Sequence, residues 1–374
     1  MPKHRDQATL DRTKETDTGR LAHPRRRPFA LHASWPSGDV SRRPPRGCHA
    51  KFEPIIMSVE VSVILLNYRT PDLTINCLAS IEPTVESWFT ILVVDNDSGD
   101  GSAEKIERAI SERGWSGWAR VLRSPRNGGF SYGNNHGIRA VPARAYVLLN
   151  SDTVVQPGTF AGLRDAMARF PRAGIIGPGM LDGHGVPDQS FFRQPAPPSE
   201  FLRSSNTGVF TKLLSRYDLV LPWREGPVEV DWLGFACVLI RHEVIEQVGL
   251  LDDAYFMYFE DIDYCRRVRE AGWKVLYFPE PKIVHLNGGS SQVSAEGALL
   301  RRAPRYYYES RSRYFAKFYG RRGLWLANAF WYLGRCVSWA RELAGREPTL
   351  REREAADLWI NAVQPLRERP RSEA

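Results

Sequence analysis

Short apolar runs that alternate with helical segments constrain the fold of this chain of 374 residues more than any other feature of its sequence. Residues 59–67 (VEVSVILLN) and 89–94 (FTILVV) are nearly continuous, apolar and rich in β-branched side chains, which is typical of strands covered on both faces. Further elements are predicted as strands over 119–122 and 145–149, and as helices over 71–81, 101–113 and 131–140. Because strand and helix alternate, this half of the chain predicts a parallel α/β sheet with right-handed crossovers.

The second half of the sequence is more mixed and completes a three-part organisation. Strands are predicted over 174–180, 235–240 and 274–278, a helix over 260–271, and a long excursion rich in Pro, Ser and Gly over 183–227. The organisation that we predict is a disordered basic extension over 1–57, an α/β domain with a mostly parallel sheet flanked by helices over 58–320, and a helical C-terminal tail over 321–374.

The net charge of +8 lies mainly in the N-terminal segment rather than on the predicted domain. Residues 1–56 carry twelve Lys or Arg and six Asp or Glu, which is an excess of six positive charges. The same residues are rich in Arg, Pro, Ser and His and have no hydrophobic period, which predicts disorder. Basic stretches elsewhere are, as a rule, solvated faces, so no nucleic-acid partner is expected.

The cysteines and the N-terminal sequence favour a reducing, cytoplasmic location. The five cysteines are widely spaced without a C-x-x-C pair, which favours neither a disulfide framework nor a zinc site. The sequence opens polar and basic with no apolar h-region, so no secretory signal is predicted, and Met57 is an alternative start. The sequence contains no run of about eighteen apolar residues, so no membrane-spanning helix is expected.

Polar residues that follow three of the predicted strands form the first candidate group. Asn67 and Arg69 follow the first strand, Asp95 follows the second, and a glycine-rich stretch with Asn127 and Asn134 follows the third. Sheets of this kind bind ligands at the carboxyl ends of their strands, and a loop-to-helix junction presents free N–H groups suited to a diphosphate. The alternative is turn chemistry, because Asp, Asn, Ser and Gly form such turns without any function.

A second group has the chemistry of a cation site. Asn150, Ser151 and Asp152 follow the fourth strand, and an acid in that place can bind Mg²⁺ together with phosphate oxygens of a substrate. His285 ends an apolar stretch, and its neutral imidazole can join the metal or contact phosphate. The alternatives are a helix cap around Asp152 and a structural histidine.

Three carboxylates within four residues, Glu260, Asp261 and Asp263, form the third group. Crowding and partial burial raise the pKa of carboxylates toward the value that suits a general base. The alternative is that acids in a first helical turn interact favourably with the helix dipole, which accounts for one or two of the three. Trp232 and Gly234 are candidates to line a ligand pocket, and a core position is the alternative for the tryptophan.

In this order, the motifs resemble those of the family 2 glycosyltransferases with a GT-A fold, most closely the rhamnosyltransferase-like enzymes of bacterial cell-surface polysaccharide synthesis. The matching stretches are VSVILLNYRT (61–70), ILVVDNDSGDGS (91–102), NGGFSYGNNHGIRA (127–140), YVLLNSDTVVQPG (146–158), VDWLGFACVLIRHEV (230–244) and YFMYFEDIDYCRRVREAGWKVLYFPEPKIVHLNGGSS (255–291). Each motif alone is moderately specific, and six in the same order over about 59–320 are strongly so.

The resemblance implies a role for each candidate residue. Asp95 resembles the contact to the base of the donor. Asp152 resembles the last acid of the metal-binding D-x-D motif, in which Asn150 replaces the first acid. Asp261, with Glu260 as the alternative, resembles the catalytic base, and His285 resembles a histidine that completes the metal site. Other donor contacts are implied for Asn67, Arg69, Asn127, Asn134, Asn150, Trp232 and Gly234.

The reaction implied by the resemblance is an inverting displacement with one base, no enzyme nucleophile, and Mg²⁺ or Mn²⁺ as the cofactor. The implied donor is a nucleotide-diphosphate sugar, with dTDP-rhamnose as the first choice. The implied acceptor is a glycan or a lipid-linked molecule, on whose side of the site the excursion over 183–227 lies. Two other functions stay open, namely a sugar nucleotidyltransferase and a non-catalytic scaffold with the same fold.

The C-terminal tail mixes aromatic and basic residues in a helical pattern. One hypothesis is a helix that lies on the inner face of an anionic cell membrane, with Trp325, Phe330, Trp331 and Trp339 as the inserted residues. The alternatives are a helix packed on the catalytic domain and a contact between copies in a homo-oligomer.

Overall fold

The computed structural model describes residues 59–286, 302–347 and 351–367, so the extension predicted over 1–57 lies outside the described part of the chain. Its strands are β1 (Val59–Asn67), β2 (Phe89–Asp95), β3 (Ala119–Arg123), β4 (Ala143–Asn150), β5 (Thr153–Val155), β6 (Ala173–Leu181), β7 (Pro187–Asp188), β8 (Phe191–Phe192), β9 (Val228–Glu229), β10 (Trp232–Leu233), β11 (Cys237–Arg241) and β12 (Lys274–His285). Its α-helices are α1 (Pro71–Ile81), α2 (Ser102–Glu112), α3 (Gly129–Ala140), α4 (Thr159–Arg169), α5 (Ser199–Ser205), α6 (Gly208–Leu213), α7 (His242–Val248), α8 (Glu260–Glu270), α9 (Arg305–Leu343) and α10 (Glu354–Asp357).

One mixed sheet forms the centre of the fold, in the order β3-β2-β1-β4-β11-β6-β12-β5. The part built from β1 to β4 is parallel, as the alternation of strand and helix predicts. β11 runs antiparallel to both β4 and β6, so the second half departs from the simple parallel pattern. β7 and β9 pair at the margins of this sheet, and β8 with β10 forms a separate two-stranded sheet.

The register of the parallel strands brings their carboxyl ends to one edge. Asn67 lies opposite Asp95, and Leu66 lies opposite Asn150. The polar residues that follow β1, β2 and β4 therefore meet at the same level, where ligands of α/β sheets bind.

Both faces of the sheet are buried, which explains why the strands of the first half read as apolar runs. Val63 and Leu65 of β1 contribute to a core that contains residues of α1, α2 and α4, whereas Ile64 contributes to the opposite core, with residues of α3, α7 and α8. Each such side chain contributes roughly 1.5–3 kcal/mol when it is fully buried.

β12 is longer than the strand predicted over 274–278, and this extension matters for the site. The strand continues past an irregularity in its pairing with β6 between Phe278 and Lys282 and runs on to His285. Its last residues pair with β5, so that His285 lies opposite Thr153. β5, α4 and α7 are not predicted from the sequence, because their patterns are short or weakly periodic.

The two halves of α9 pack on different parts of the molecule. Gly320 (φ 68°, ψ 174°) interrupts the helix between them. In the first half, Tyr314 and Phe315 pack with Phe259, next to the start of α8. The second half packs on α5, and the hydroxyl of Ser204 donates to the carbonyl of Trp331 at 2.8 Å. Among the described residues, no helix combines the length and the apolar character needed to cross a membrane.

The four aromatic residues expected to insert into a membrane do not share one face of α9. Trp325 and Trp339 are about half exposed, Phe330 is partly buried, and Trp331 is only 1% exposed. The prediction is wrong for Trp331, which packs with Tyr308 in the core. The helical repeat explains the difference, because a step of six residues turns the side chain to another face.

Candidate functional site

A cavity of about 340 Å³ opens at the carboxyl edge of the parallel strands. The strand-end wall contains Leu66, Tyr68, Thr70, Asn150 and Ser151. The wall at the start of α8 contains Met257, Tyr258, Glu260 and Asp261. The third wall comes from the excursion and from the segment between β10 and β11, with Asp188, Gln189, Ser190, Phe192, Gly234 and Phe235. His285 also lines the cavity.

Glu260 and Asp261 face the cavity because the backbone before them makes an unusual turn. Tyr258 (φ 68°) and Phe259 (φ 67°) both adopt the left-handed conformation, which costs about 1–2 kcal/mol for an ordinary side chain. The first half of α9 holds this turn. The hydroxyl of Ser310 donates to the Met257 carbonyl at 3.0 Å, and Tyr306 stacks on Tyr258 with ring centroids 6.1 Å apart.

The environment of this acid pair opposes ionisation. Burial, and secondly the charge of Asp261, raises the pKa of Glu260 well above its usual range. Burial also raises the pKa of Asp261 to about 7. One oxygen of Glu260 has no hydrogen-bond partner among the described residues. A carboxyl group with a pKa near 7 in a cavity can take a proton from a bound hydroxyl.

Asp263, the third acid of the cluster, has a different role. It is fully buried and paired with Arg267 at 2.6 Å and with Lys317 of α9 at 2.5 Å, and it accepts a hydrogen bond from the Tyr255 hydroxyl. Its carboxylate therefore joins α8 to α9 and does not line the cavity. The functional interpretation of the cluster holds for two of the three acids at most.

Asp152 and His285 meet beside the strand-end wall. The His285 Nε2 atom lies 3.3 Å from an Asp152 carboxylate oxygen, and the backbone N–H of Leu286 donates to the Asp152 carbonyl. Among the described residues, no group of three or more His, Cys, Asp or Glu side chains could hold a metal ion. The pair nevertheless fits a hard cation that takes only one or two protein ligands and completes its shell with phosphate oxygens and water.

Asn67, Asp95 and Ser98 form a closed hydrogen-bond cluster at the ends of β1 and β2. The Asn67 amide donates to Asp95 at 2.7 Å, while the Ser98 hydroxyl and backbone N–H donate to the same carboxylate at 2.7 and 3.1 Å. Arg69, which has a left-handed φ of 55°, is exposed and donates from its Nε to the Ser98 carbonyl. Asn67, Arg69 and Asp95, which are predicted as donor contacts, are not among the residues that line the cavity.

The glycine-rich stretch before α3 is held close to the turn that carries the acids. The Asn127 side chain accepts from the amide of Asn96 and from the backbone N–H of Gly129, each at 3.0 Å. The next backbone N–H, that of Phe130, donates to the Phe256 carbonyl at 2.7 Å. A Cβ on Gly129 would lie 2.0 Å from the same carbonyl oxygen, so the approach requires glycine.

The remaining predicted residues divide between the cavity and its support. Asn150 and Gly234 line the cavity. Asn134 is buried in α3 and donates to the Phe130 carbonyl, and Trp232 lies behind Phe192 with its indole N–H bonded to the Arg193 carbonyl. The wall residues over 188–192 are not predicted as site residues, because they lack a motif and come from the excursion.

The chain is similar to known proteins over most of its described length. The model of a family described as "Glycosyltransferase like family 2" matches residues 60–308. An N-acetylglucosaminyl-diphospho-decaprenol L-rhamnosyltransferase of Mycobacterium tuberculosis is 29% identical over 224 residues, which cover 56% of this chain and 70% of that protein. A low-salt glycan biosynthesis hexosyltransferase, Agl10 of Haloferax volcanii, is 28% identical over 216 residues, which cover 56% of this chain and 62% of that protein.

Solved structures extend the similarity to the fold. The mannosyltransferase PcManGT from Pyrobaculum calidifontis, in complex with GDP-Man and Mn²⁺, superposes with a TM-score of 0.50 at 15% identity, over 83% of this chain and 88% of that one. At this identity the likeness concerns the fold alone.

Proposed function

The chain belongs to glycosyltransferase family 2 and has the GT-A fold, and on that premise we propose that it is an inverting enzyme that moves a sugar from a nucleotide-diphosphate donor to a hydroxyl of a glycan or lipid-linked acceptor. One observation carries the proposal: a single cavity contains the acid pair Glu260–Asp261 and the end of β4, beside the Asp152–His285 corner. This supports a reaction in which a base and a leaving diphosphate act on the same sugar.

In the proposed reaction, Asp261 takes the proton of the acceptor hydroxyl while the acceptor oxygen attacks the anomeric carbon and the bond to the diphosphate breaks. A pKa of about 7 suits this role, because the carboxylate is then available near neutral pH and still basic enough to accept the proton. Glu260, whose pKa is raised further by the neighbouring charge, is the alternative base.

The charge balance of the cavity favours a divalent cation as the partner of the diphosphate. Its described lining contains the carboxyl groups of Asp188, Glu260 and Asp261, and it offers neither Lys nor Arg to neutralise a diphosphate. Asp152 and His285 would hold Mg²⁺ or Mn²⁺, which supplies positive charge to the departing diphosphate when it is bound. The role of Asp95, Asn67, Arg69, Asn127 and Asn134 in this proposal is to shape the donor side of the site through their hydrogen bonds.

The donor that we propose first is dTDP-rhamnose, on the strength of the rhamnosyltransferase relative of Mycobacterium tuberculosis, and the pathway that we propose is bacterial cell-surface polysaccharide synthesis. The family and its named relatives are glycosyltransferases, so no observation favours the nucleotidyltransferase or the scaffold.

The test combines binding and turnover. The protein is screened by thermal shift against nucleotide sugars with Mg²⁺, Mn²⁺ or chelator, and the strongest donor is then used in a transfer assay. We expect one nucleotide sugar to raise the melting temperature only with metal, and the Asp152→Ala variant to lose that increase. A metal-independent shift in both proteins would rule out the proposed cation site.

The second half of α9 supports the further proposal that the enzyme contacts the inner face of the cell membrane. Its exposed residues between 325 and 340 are all uncharged, namely Trp325, Leu326, Ala329, Tyr332, Leu333, Cys336, Trp339 and Ala340. Arg321 and Arg322 precede this stripe and Arg346 follows it, all three exposed. An apolar face with a Trp near each end and Arg beyond it matches an anionic lipid surface.

Flotation with phosphatidylglycerol vesicles tests this contact. We expect the full chain to float and the Trp325→Ser, Trp339→Ser double variant to stay in solution, because neither tryptophan is needed for packing. Val186→Ser is the control, since Val186 is also exposed but lies in the excursion. Equal flotation of all three proteins would remove the proposed contact.

A further inference from the structure

The third wall of the cavity is built by the segment 188–192, which strand pairing holds at both ends. β7 places Asp188 opposite Met180 in the main sheet, and β8 places Phe192 opposite Trp232 in the two-stranded sheet. Asp188, Ser190 and Phe192 line the cavity, whereas Phe191 between the last two is buried in the core. The wall is therefore a preformed surface, in spite of its origin in the excursion.

An aromatic platform forms one end of this wall. The Phe192 ring stacks on Trp232, with centroids 4.5 Å apart and an angle of 22° between the planes. The indole N–H of Trp232 donates to the Arg193 carbonyl at 3.0 Å and thereby fixes the orientation of the pair. Since Trp232 supports Phe192 from behind and Phe192 lines the cavity, an apolar ligand face can stack on the Phe192 ring.

Polar groups border this platform. Ser190 is 6% exposed, and its hydroxyl has no hydrogen-bond partner in the described part of the chain. A buried hydroxyl without a partner is unfavourable, and a hydroxyl of a ligand would satisfy it. Asp188 adds a carboxylate, which accepts from the backbone N–H of Gln189 at 2.8 Å. The Gln189 amide already donates to the Phe191 carbonyl and is therefore less available to a hydroxyl of a ligand.

The charge of the cavity lining narrows the class of ligand that can bind at this wall. A phosphate would be repelled by the Asp188 carboxylate, and the described lining offers no Lys or Arg to bind it. A pyranose ring has an apolar C–H face and a rim of hydroxyl groups, which match an aromatic ring bordered by a hydroxyl and a carboxylate. Glu260 and Asp261 lie in the same cavity, so a hydroxyl of such a ring can reach the base.

We propose that Asp188, Ser190 and Phe192 form the acceptor subsite and that it binds a neutral hexopyranoside, whose ring stacks on Phe192. The inference rests on the proposed sugar transfer, because it names the acceptor of that reaction. The group that receives the sugar is then a carbohydrate hydroxyl rather than a phosphate.

The experiment measures binding without donor or metal, so that it does not depend on turnover. Saturation-transfer NMR is recorded with methyl β-glucoside, methyl N-acetyl-β-glucosaminide and methyl α-rhamnoside, and with methyl phosphate as the charged probe. We expect at least one hexoside to bind through its ring protons and methyl phosphate to give no signal. Binding of methyl phosphate alone, or of none of the four probes, would overturn the proposal.

Matched variants locate the bound ring. Phe192→Leu keeps an apolar side chain but removes the stacking surface, and we expect it to weaken binding about tenfold, with Ser190→Ala weakening it about threefold. Val186→Ala, outside the cavity on the same excursion, should bind like the unchanged protein, and melting curves verify folding. Unaltered binding by Phe192→Leu and Ser190→Ala would refute the subsite. A protein that binds the hexoside at this wall but transfers no sugar from any donor would instead refute the proposed function.

Discussion

Asp95 at the end of β2 and Glu260 at the start of α8 are both buried, and Asp261 beside Glu260 is half-buried, but the oxygen atoms of these acids are used differently. Asp95 accepts hydrogen bonds from the Asn67 amide and from the hydroxyl and backbone N–H of Ser98. Glu260 keeps one oxygen without a partner among the described residues, and the pKa of both Glu260 and Asp261 is raised. A carboxylate saturated by the protein belongs to the framework, whereas an unsaturated one is able to exchange a proton with a ligand.

The strongest way to break this comparison is to remove the acid function itself. Asp261→Asn should lower the transfer rate by about 10²–10⁴-fold, because the amide cannot take the proton of the acceptor. Donor affinity, measured by calorimetry, should change little, and Glu260→Gln is measured in parallel. Glu270→Gln at the exposed end of the same helix is the control. If both cavity variants kept the full rate, the assignment of the base would be wrong.

The opposite effect is expected at the end of β2. Asp95→Asn disturbs three hydrogen bonds to a buried group, so the free energy of unfolding should fall by about 1–3 kcal/mol in urea titrations. Asp97→Asn is the matched control, because Asp97 is exposed and its left-handed φ of 58° suits Asn. Equal stability of the two variants would mean that the Asp95 cluster is not part of the framework.

A smaller effect on kcat should show whether the hydrogen bond from Ser310 positions the acid pair or only stabilises the fold. Ser310→Ala removes the hydrogen bond to the Met257 carbonyl, and Ser312→Ala removes a comparable bond to the Ile360 carbonyl, away from the acids. Each should cost about 1 kcal/mol of stability. Only Ser310→Ala should lower kcat, with the KM for the donor unchanged. Identical kcat values would show that α9 does not position the base.

The smallest effect concerns the pH dependence of stability. The pKa of Asp261 is about 7 in the folded chain and lower in the unfolded chain, so between about pH 4 and 7 the unfolded state binds fewer protons. Folding stability therefore falls as the pH rises through this window. At pH 8 the free energy of unfolding of Asp261→Asn should exceed that of the unchanged protein by about 1 kcal/mol after screening by solvent, so the variant should melt at a higher temperature. At pH 4 the two proteins should melt at the same temperature. A variant that melts lower at pH 8 would contradict the raised pKa.

The parallel half of the fold can be predicted from sequence because its signals are local. β1 and α1 have the predicted bounds, since an apolar run between polar ends and a Pro at the first helical turn are written in neighbouring residues. The direction of β11 and the extension of β12 through its irregularity depend on distant partners, and no local pattern encodes them.

The candidate site shows the same limit. The acid pair is predicted because crowded carboxylates are visible in the sequence, but the sequence cannot show that Asp263 is paired with Arg267 and Lys317. The wall over 188–192 reaches the cavity only through strand pairing. Asn67 and Asp95 are correctly placed at strand ends, but their mutual hydrogen bond is visible only in three dimensions.

The contact between Gly129 and Phe256 has a consequence for engineering. A side chain at position 129 would press on the peptide that leads into Glu260, because the gap to the Phe256 oxygen is already closed. On the proposed function, in which the 127–130 loop shapes the donor side and Asp261 is the base, a redesign of this loop would therefore also displace the base. Designs that aim to change donor selectivity without changing the rate should begin on a different loop.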